Sequence, residues 1–181
     1  MFKRLDITHE LTFNPGYQLL YRFGKENAGE FLGISYFTVD RNIQNKLLNF
    51  LPEDIKSEFN VSLMVINTPE IPAHVDNEIL VTINFYVQTA GAVTRFHRFK
   101  PSMKPTIEKL ENQSDGAMYA PECLDTVGEF EAQTGEVWIL DVKQPHSVSC
   151  STTEPRIAYC LQSTTLTYED IIKHGQHIFN Q

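Results

Sequence analysis

Two residues of metal-ligand type, His74 and Asp76, lie two positions apart in the stretch IPAHVDNE. This stretch reads as the approach to a β-strand, and in extended backbone the side chains at positions i and i+2 project to the same side. An imidazole and a carboxylate on one side can share a cation. The pair alone is a weak signal, because a His-any-Asp triplet arises easily by chance, and a third ligand is therefore needed.

Two histidines are candidates for the third ligand. His146 begins one predicted strand, and His97 lies within another; the other three, His9, His174 and His177, are near the ends of the sequence, where exposure to solvent is expected. Taken alone, a histidine on a strand is more often structural than a ligand. Two histidines and one carboxylate would leave three positions of an octahedral ion open, as in the facial triad of non-haem Fe(II) oxygenases.

Arg156, ten residues after His146, favours His146 over His97. The intervening sequence reads as strand, polar turn and strand, which predicts a hairpin with Cys150 opposite Arg156. In that register His146 and Arg156 share one face and lie about 13 Å apart along the strand. A dicarboxylate bound to a metal at His146 would then meet a guanidinium, whose planar fork pairs bidentately with carboxylates.

The elements that must position these residues are mostly strands. Short stretches rich in β-branched and aromatic residues predict strands at residues 31–39, 61–67, 79–87, 93–99, 136–142, 146–150 and 156–164. Helices are predicted from Asp40, as N-cap, and again from Pro52, and between Thr167 and Gly175. This pattern is typical of a β-sandwich or open barrel, which can hold a ligand in its mouth.

The strand at 79–87 carries a regular alternation. Its odd positions are apolar, whereas its even positions from Thr82 onward include Asn84, Tyr86 and Gln88. One face should therefore pack into a core, and the other should line a pocket or meet solvent.

Residues 100–126 contain three prolines and show little periodicity. They predict a long loop, and long irregular loops on compact domains are often lids or binding loops. We expect this segment to govern access of a substrate to the pocket.

Composition narrows the function classes. A chain of 181 residues with a net charge of −8 predicts a single domain over 1–181 and argues against a broad nucleic-acid-binding face. Arg95, Arg98 and Lys100 could form a local anion-binding edge, although such runs are usually solvated.

No apolar run has the length of a signal peptide or membrane span, so we expect a cytoplasmic protein without a membrane partner. The three cysteines lack CxxC spacing and are expected to be reduced and mostly buried.

The ordered set of motifs resembles a known family. HVDN, VTINFYV, GAVTRF and GEVWILDVKQPHSVS, followed by Arg156, are similar to the non-haem Fe(II)/2-oxoglutarate-dependent dioxygenases, most of all their prolyl-hydroxylase-like and aspartyl/asparaginyl-hydroxylase-like branches. The resemblance covers about residues 60–164 and implies a mainly β, double-stranded β-helix (a cupin-like jelly roll) with flanking helices and a core at about 31–166.

The resemblance also implies a site. Iron would be held by His74, Asp76 and His146, and Arg156 would bind the distal carboxylate of 2-oxoglutarate, assisted by Tyr86. Asn84 falls in the same pocket, where related proteins often have an apolar residue. With O2 as the third reactant, oxidative decarboxylation of 2-oxoglutarate to succinate and CO2 would be coupled to hydroxylation of a peptidyl side chain or a small metabolite.

Two other functions remain open at the level of sequence. One is a cupin-like metalloenzyme that does not use 2-oxoglutarate, and the other is a non-catalytic binding or sensor module on the same fold. Arg156 separates the first from a 2-oxoglutarate enzyme, because a cupin without that cosubstrate has no need of a cation at this spacing. The oligomeric state is not determined by the sequence.

Overall fold

The computed structural model describes residues 1–14, 17–101, 103, 107–108 and 117–178. Within them lie thirteen strands, β1 to β13. In chain order their bounds are Phe2–Thr8, Leu19–Asn27, Glu30–Phe37, Asn60–Asn67, Glu70–Val75, Val81–Gln88, Val93–Phe99, Ile107–Glu108, Ala117–Tyr119, Leu124–Glu131, Glu136–Leu140, His146–Ser149 and Arg156–Ser163.

Two antiparallel sheets contain all of these strands. The larger has the order β1-β11-β6-β13-β4-β3-β2, and the smaller β10-β7-β12-β5-β9-β8. Along the chain from β4 to β13, β4, β6, β11 and β13 lie in the larger sheet, and β5, β7, β10 and β12 in the smaller one. Eight strands in this order form a jelly roll, and the predicted mainly β, double-stranded β-helix is confirmed.

Helices cover one face of the larger sheet. Helix α1 spans Arg41–Leu48, a 3-10 helix spans Glu53–Glu58, and α2 spans Tyr168–Ile178. Thr167 and Asp170 cap α2 reciprocally, since Asp170 N donates to Thr167 Oγ1 at 3.2 Å and Thr167 N to Asp170 Oδ2 at 3.0 Å. The predicted end of this helix at Gly175 is wrong, because the helix continues to Ile178.

The alternation in β6 divides the molecule into two interiors. Val81, Ile83 and Phe85 point toward the helices and belong to a cluster with Leu47 and Ile171. The opposite face of β6 points between the two sheets, where Thr82 and Asn84 line a cavity. The predicted apolar and polar faces therefore correspond to a helix-covered core and a pocket floor.

The predicted hairpin of the strands at 146–150 and 156–164 is wrong. β12 pairs with β5 and β7 in the smaller sheet, whereas β13 pairs with β4 and β6 in the larger one. The polar segment between them crosses from one sheet to the other. His146 and Arg156 consequently face each other across the interior instead of sharing one face of a sheet.

The long loop predicted at 100–126 is wrong where the structure describes it. Residues 107–108 and 117–119 form β8 and β9, which extend the smaller sheet beyond β5. A 3-10 helix at Pro121–Cys123 leads into β10, and Ala120, Cys123 and Leu124 pack with Ala73. These contacts are with residues distant in sequence, so local pattern does not reveal them. Positions 102, 104–106 and 109–116 of the predicted lid lie outside the described residues.

Two facing glycines bring β2 close to β3. Gly24 and Gly33 are register partners with φ of +146° and +153°. A Cβ on Gly24 would lie 2.1 Å from the Leu32 carbonyl oxygen, and one on Gly33 would lie 2.0 Å from that of Phe23. The close pairing of these strands, which form one wall of the cavity, therefore requires glycine at both positions.

Asp40→Ala is expected to destabilise the protein by about 1 kcal/mol. The Asp40 carboxylate accepts hydrogen bonds from the backbone N–H groups of Asn42 at 2.9 Å and Ile43 at 3.1 Å, and alanine would leave these donors at the start of α1 without their cap. Urea unfolding measures the change. Asp6→Ala, an exposed position on β1, serves as the control and should stay within about 0.5 kcal/mol of the unsubstituted protein; an equal loss in both variants would contradict the capping role.

None of the helices in the described ranges is both long enough and apolar enough to cross a membrane. Cys123 and Cys160 are buried, and Cys150 is partly buried.

Candidate metal and carboxylate site

His74, Asp76 and His146 come together between the sheets. His74 and His146 are register partners on β5 and β12, and Asp76 follows the end of β5. Asp76 Oδ1 lies 3.6 Å from His74 Nε2 and 3.9 Å from His146 Nε2. One ligand atom from each residue lies within 4.8 Å of the other two, and no other group of this kind is found in the described part of the chain.

The backbone orients both imidazoles for metal binding. His74 Nδ1 donates to the Pro72 carbonyl oxygen at 2.8 Å, and His146 Nδ1 donates to that of Gln144 at 3.0 Å. A carbonyl only accepts, so Nδ1 carries the hydrogen and, in the neutral ring, the Nε2 lone pair is free. Both Nε2 atoms are the ones that approach Asp76. This is the outer-shell arrangement that usually orients metal-bound histidines, and the donor set fits Fe(II).

Burial sets the electrostatics of the three ligands. It lowers the pKa of His146 well below its usual value, with a further contribution from His74, so this imidazole is neutral and able to bind a cation. Burial also raises the pKa of the Asp76 carboxyl, while His74 and Lys143 act in the opposite direction. A cation between the ligands would stabilise the carboxylate that burial disfavours.

The segment between β11 and β12 hydrogen-bonds to the backbone around Asp76. Asp76 N donates to the Val142 carbonyl oxygen at 3.1 Å. Lys143 Nζ donates to the carbonyl oxygens of Asp76, at 3.0 Å, and Asn77. The segment that leads to His146 therefore also positions Asp76, a role of Lys143 that the sequence analysis did not identify.

His97 lies outside this group. Its Nε2 is 2.8 Å from Ser147 Oγ, and its Nδ1 is 3.2 Å from Thr126 Oγ1. It alternates with Phe96 along β7, and Phe96 instead stacks against the His146 ring with centroids 5.7 Å apart. Both ring nitrogens of His97 thus have partners away from Asp76.

His9, expected to be solvated, is half-buried and packs against Phe85 with ring centroids 5.6 Å apart.

Arg156 projects into the same interior from the first position of β13. Its side chain is buried, with 2% of the residue exposed. Nη2 donates to Tyr86 Oη at 2.6 Å and to Thr94 Oγ1 at 3.0 Å, and the guanidinium lies over the Tyr86 ring, 4.7 Å from its centroid. Nε and Nη1 are buried without a hydrogen-bond partner. Since no carboxylate among the described residues pairs with Arg156, two charged donors remain unsatisfied in the interior.

The Tyr86 hydroxyl is a further donor beside Arg156. Tyr86 Oη accepts from Arg156 Nη2 at 2.6 Å and from Asn84 Nδ2 at 3.3 Å, and Asn84 Oδ1 accepts from Thr82 Oγ1 at 2.9 Å. With both acceptor positions of the hydroxyl used, its own hydrogen remains for another acceptor. Tyr86 O–H and the free Arg156 N–H groups form a donor set suited to a carboxylate. Asn84 acts on this set through Tyr86.

Thr94 is a further member of the site that the sequence analysis did not identify. It lies in the quoted GAVTRF motif, but hydroxyl residues on strands are too common for the sequence to predict its bond to Arg156. Arg95 and Arg98 follow it on β7, and Lys100 comes just after the strand ends. The two arginines face acids on β10: Arg95 Nε is 3.0 Å from Glu129, and Arg98 Nε is 3.8 Å from Asp125.

A cavity of about 1060 Å³ connects the three metal-ligand side chains with the Arg156 guanidinium. Its lining includes His74, Asp76, His146, Asn84 and Arg156. Cys160 also lines it, but burial raises the pKa of this thiol to about 12, which keeps it protonated and excludes it as a nucleophile at neutral pH.

If the cavity binds 2-oxoglutarate, as the resemblance implies, Tyr86→Phe should weaken that binding by about 1 kcal/mol, roughly fivefold. The substitution removes the free O–H donor and an acceptor for Arg156, and it keeps the aromatic ring under the guanidinium. Equilibrium titration of the metal-loaded protein measures the change. Tyr159→Phe is the matched control, because this hydroxyl lies on the other face of the larger sheet and donates to the Thr12 carbonyl oxygen at 3.0 Å. Equal affinities for Tyr86→Phe and the unsubstituted protein would show that the Tyr86 hydroxyl does not contact the ligand.

Comparison with known proteins gives matches among solved structures alone. No family model matches the sequence, and a search of curated proteins finds no match. The ribosomal oxygenase YcfD from Escherichia coli, in complex with cobalt and 2-oxoglutarate, aligns with 88% of this chain and 43% of its own at 12% identity and a TM-score of 0.48. This chain thus spans less than half of YcfD.

Two further structures illustrate the range of proteins that align with this chain. The epimerase SnoN, in complex with Fe3+, alpha ketoglutarate and nogalamycin RO, aligns with 80% of this chain and 67% of its own at 14% identity and a TM-score of 0.48. Vicilin from hazelnut, Corylus avellana, aligns with 80% of this chain and 31% of its own at 10% identity and a TM-score of 0.42.

Proposed function

We propose that this protein is an Fe(II)- and 2-oxoglutarate-dependent dioxygenase that hydroxylates a substrate bound in the cavity. The overall reaction is 2-oxoglutarate plus O2 plus a substrate C–H, giving succinate, CO2 and the substrate C–OH. One oxygen atom enters succinate and the other enters the new hydroxyl group. His74, Asp76 and His146 would hold the metal, which when bound supplies the redox chemistry that activates O2.

The observation that carries the proposal is the unsatisfied guanidinium of Arg156. A buried charge is normally paired, and leaving a charged donor unpaired costs at least 1–3 kcal/mol. Two buried nitrogen atoms of Arg156, Nε and Nη1, nevertheless have no hydrogen-bond partner, in a cavity that also contains the three metal-ligand side chains. A ligand with one end at the metal ligands and a carboxylate at Arg156 satisfies both groups, and 2-oxoglutarate has these two ends.

The protein side chains would bind and orient the cosubstrate. Arg156 and the Tyr86 hydroxyl donate to the distal carboxylate, while Thr94 and Asn84 hold these two donors in place. Phe96 packs on His146 and shields the metal ligands from water on that side. A metalloenzyme that does not bind a dicarboxylate would gain nothing from a buried, unpaired guanidinium. The unpaired guanidinium therefore favours the dioxygenase over the cupin-like alternative.

Turnover without the prime substrate tests the proposal. With Fe(II), 2-oxoglutarate and O2, and with ascorbate to supply the two electrons that the absent substrate would supply, the protein is expected to form succinate. His146→Ala should abolish this succinate formation. Succinate at the level of the Fe(II)-only control, from protein that binds both metal and 2-oxoglutarate, would contradict the proposed reaction.

A further inference from the structure

The cavity extends well beyond the proposed 2-oxoglutarate site. On the inner face of the larger sheet, β13 runs from Arg156 through Cys160 to Gln162, so Gln162 lies about 20 Å along the strand from Arg156. Ser62, Thr82 and Gln162 line this far end and are almost completely buried. A five-carbon dicarboxylate occupies a small part of about 1060 Å³, and the remainder is available to a second molecule.

The polar groups of the far end are uncharged and linked to one another. Ser62 Oγ donates to Gln162 Oε1 at 3.2 Å, and the Tyr36 side chain lines the same cavity. Burial raises the pKa of Tyr36 well above its usual value, so the phenol remains neutral. The Tyr36 O–H and the Gln162 amide N–H groups can donate to a ligand acceptor, while Ser62 holds the Gln162 amide in position.

One wall beside these groups is aromatic. Tyr21, Phe23 and Tyr36 line the cavity from β2 and β3. Their ring centroids lie 4.7 Å apart for Tyr21 and Tyr36, and 5.3 Å apart for Tyr21 and Phe23. The three candidate metal ligands line the same cavity as this wall. Tyr21 is 40% exposed and leaves aromatic surface for a ligand to cover.

The charges of the cavity disfavour a second anion. Of its described lining residues, Arg156 is the one with a permanent positive charge, and Asp76, Glu70 and Glu78 are acidic. Both glutamates are exposed. Once 2-oxoglutarate occupies Arg156, the buried far end offers neutral donors and acceptors together with aromatic and aliphatic surface.

We propose, on the basis of the function above, that the prime substrate is an uncharged small molecule with a ring. The ring packs against Tyr21, Phe23 and Tyr36, and a hydroxyl, carbonyl or amide group of the substrate hydrogen-bonds to Gln162 and Tyr36. Burial of these polar groups inside a cavity of the size usual for small-molecule sites favours a free molecule over a peptide segment. A charged side chain such as aspartate would lose its hydration without gaining a counterion.

Three probes with one shape and different charges test this assignment: naphthylacetamide, naphthylacetate and naphthylethylamine. Binding to the 181-residue chain is measured by ligand-observed NMR titration without O2, with and without Zn(II) and 2-oxoglutarate, so no turnover is required. The neutral amide should bind at least about tenfold more tightly than the anion or the cation. Tighter binding of either charged probe, equal binding of all three, or no binding of the amide would overturn the assignment, as would a capped Gly-Pro-Gly peptide that displaces the amide.

Two substitutions locate the binding. Gln162→Leu and Tyr21→Ala should each weaken amide binding by about fivefold or more and leave 2-oxoglutarate affinity unchanged. Phe13→Ala, which removes another exposed aromatic side chain, is the control and should alter neither. Tyr21 lies at the cavity edge, so its variant remains informative if Gln162→Leu does not fold. Unchanged amide binding in a folded Tyr21→Ala variant would contradict the proposed wall.

The two proposals fail in different ways. Arg156→Ala should weaken 2-oxoglutarate binding and leave binding of the amide intact, the reverse of Gln162→Leu. Absence of 2-oxoglutarate binding in the unsubstituted protein would contradict the dioxygenase function whatever the probes do. Normal 2-oxoglutarate binding combined with the wrong charge preference would contradict the substrate class alone.

Discussion

Arg156→Ala is expected to lose most of its 2-oxoglutarate affinity while retaining its metal. Truncating one partner of a buried, hydrogen-bonded charge pair costs about 2–5 kcal/mol, which corresponds to a loss of about 30-fold to several thousand-fold. The guanidinium is buried, and no described residue of the protein accepts a hydrogen bond from its Nε or Nη1. Calorimetric titration of the metal-loaded protein with 2-oxoglutarate under nitrogen measures the loss.

Arg95→Ala is the matched control for this experiment. It removes the same type of side chain from β7, where Arg95 pairs with Glu129 and donates to Ser149 Oγ at 2.7 Å on the outer face of the smaller sheet. Its 2-oxoglutarate affinity should equal that of the unsubstituted protein. Equal affinity in Arg156→Ala and the unsubstituted protein would refute the carboxylate site.

The second large effect concerns the metal. His74→Ala, Asp76→Ala and His146→Ala should each weaken Fe(II) binding by more than about a hundredfold, since even outer-shell partners of metal ligands contribute 10–100-fold. Competition with a chromophoric chelator under anaerobic conditions measures the affinity. The loss should be similar for the three variants, because each removes one member of a single three-ligand group.

His97→Ala provides the internal control for the metal experiment. His97 and His146 are both buried histidines on neighbouring strands of the smaller sheet, but His97 is bonded to Ser147 and Thr126. Its removal should leave Fe(II) affinity within about twofold. Loss of metal from His97→Ala combined with retention by His146→Ala would identify His97 as the third ligand instead.

Local sequence pattern predicted the strand that forms the pocket floor and the start of the first helix. The alternation from Val81 to Gln88 follows from the two-residue period of a strand, and it gives both the helix-covered face and the pocket face of β6. Asp40 marks the start of α1 because its side chain caps the first turn. In each case the deciding interaction lies within a few residues along the chain.

The errors come from interactions between distant residues. A polar turn between two strands predicts a hairpin, but the same local sequence also serves a crossing between sheets, and β12 and β13 lie in different sheets. Arg156 nevertheless reaches the site, because both strands face one interior. The short strands β8 and β9 form by pairing beyond β5, and β2 lies at the edge of the larger sheet, where its pairing with β3 depends on Gly24 and Gly33.

Anaerobic titration with Fe(II) and 2-oxoglutarate tests the central claim most directly. Bidentate chelation of Fe(II) by the cosubstrate gives a weak visible charge-transfer band. The band should grow to saturation at one equivalent of each component, stay absent with either alone, and be absent in His146→Ala and strongly weakened in Arg156→Ala. No band from protein that binds Fe(II) normally, or a band of equal strength and affinity in Arg156→Ala, would contradict the account.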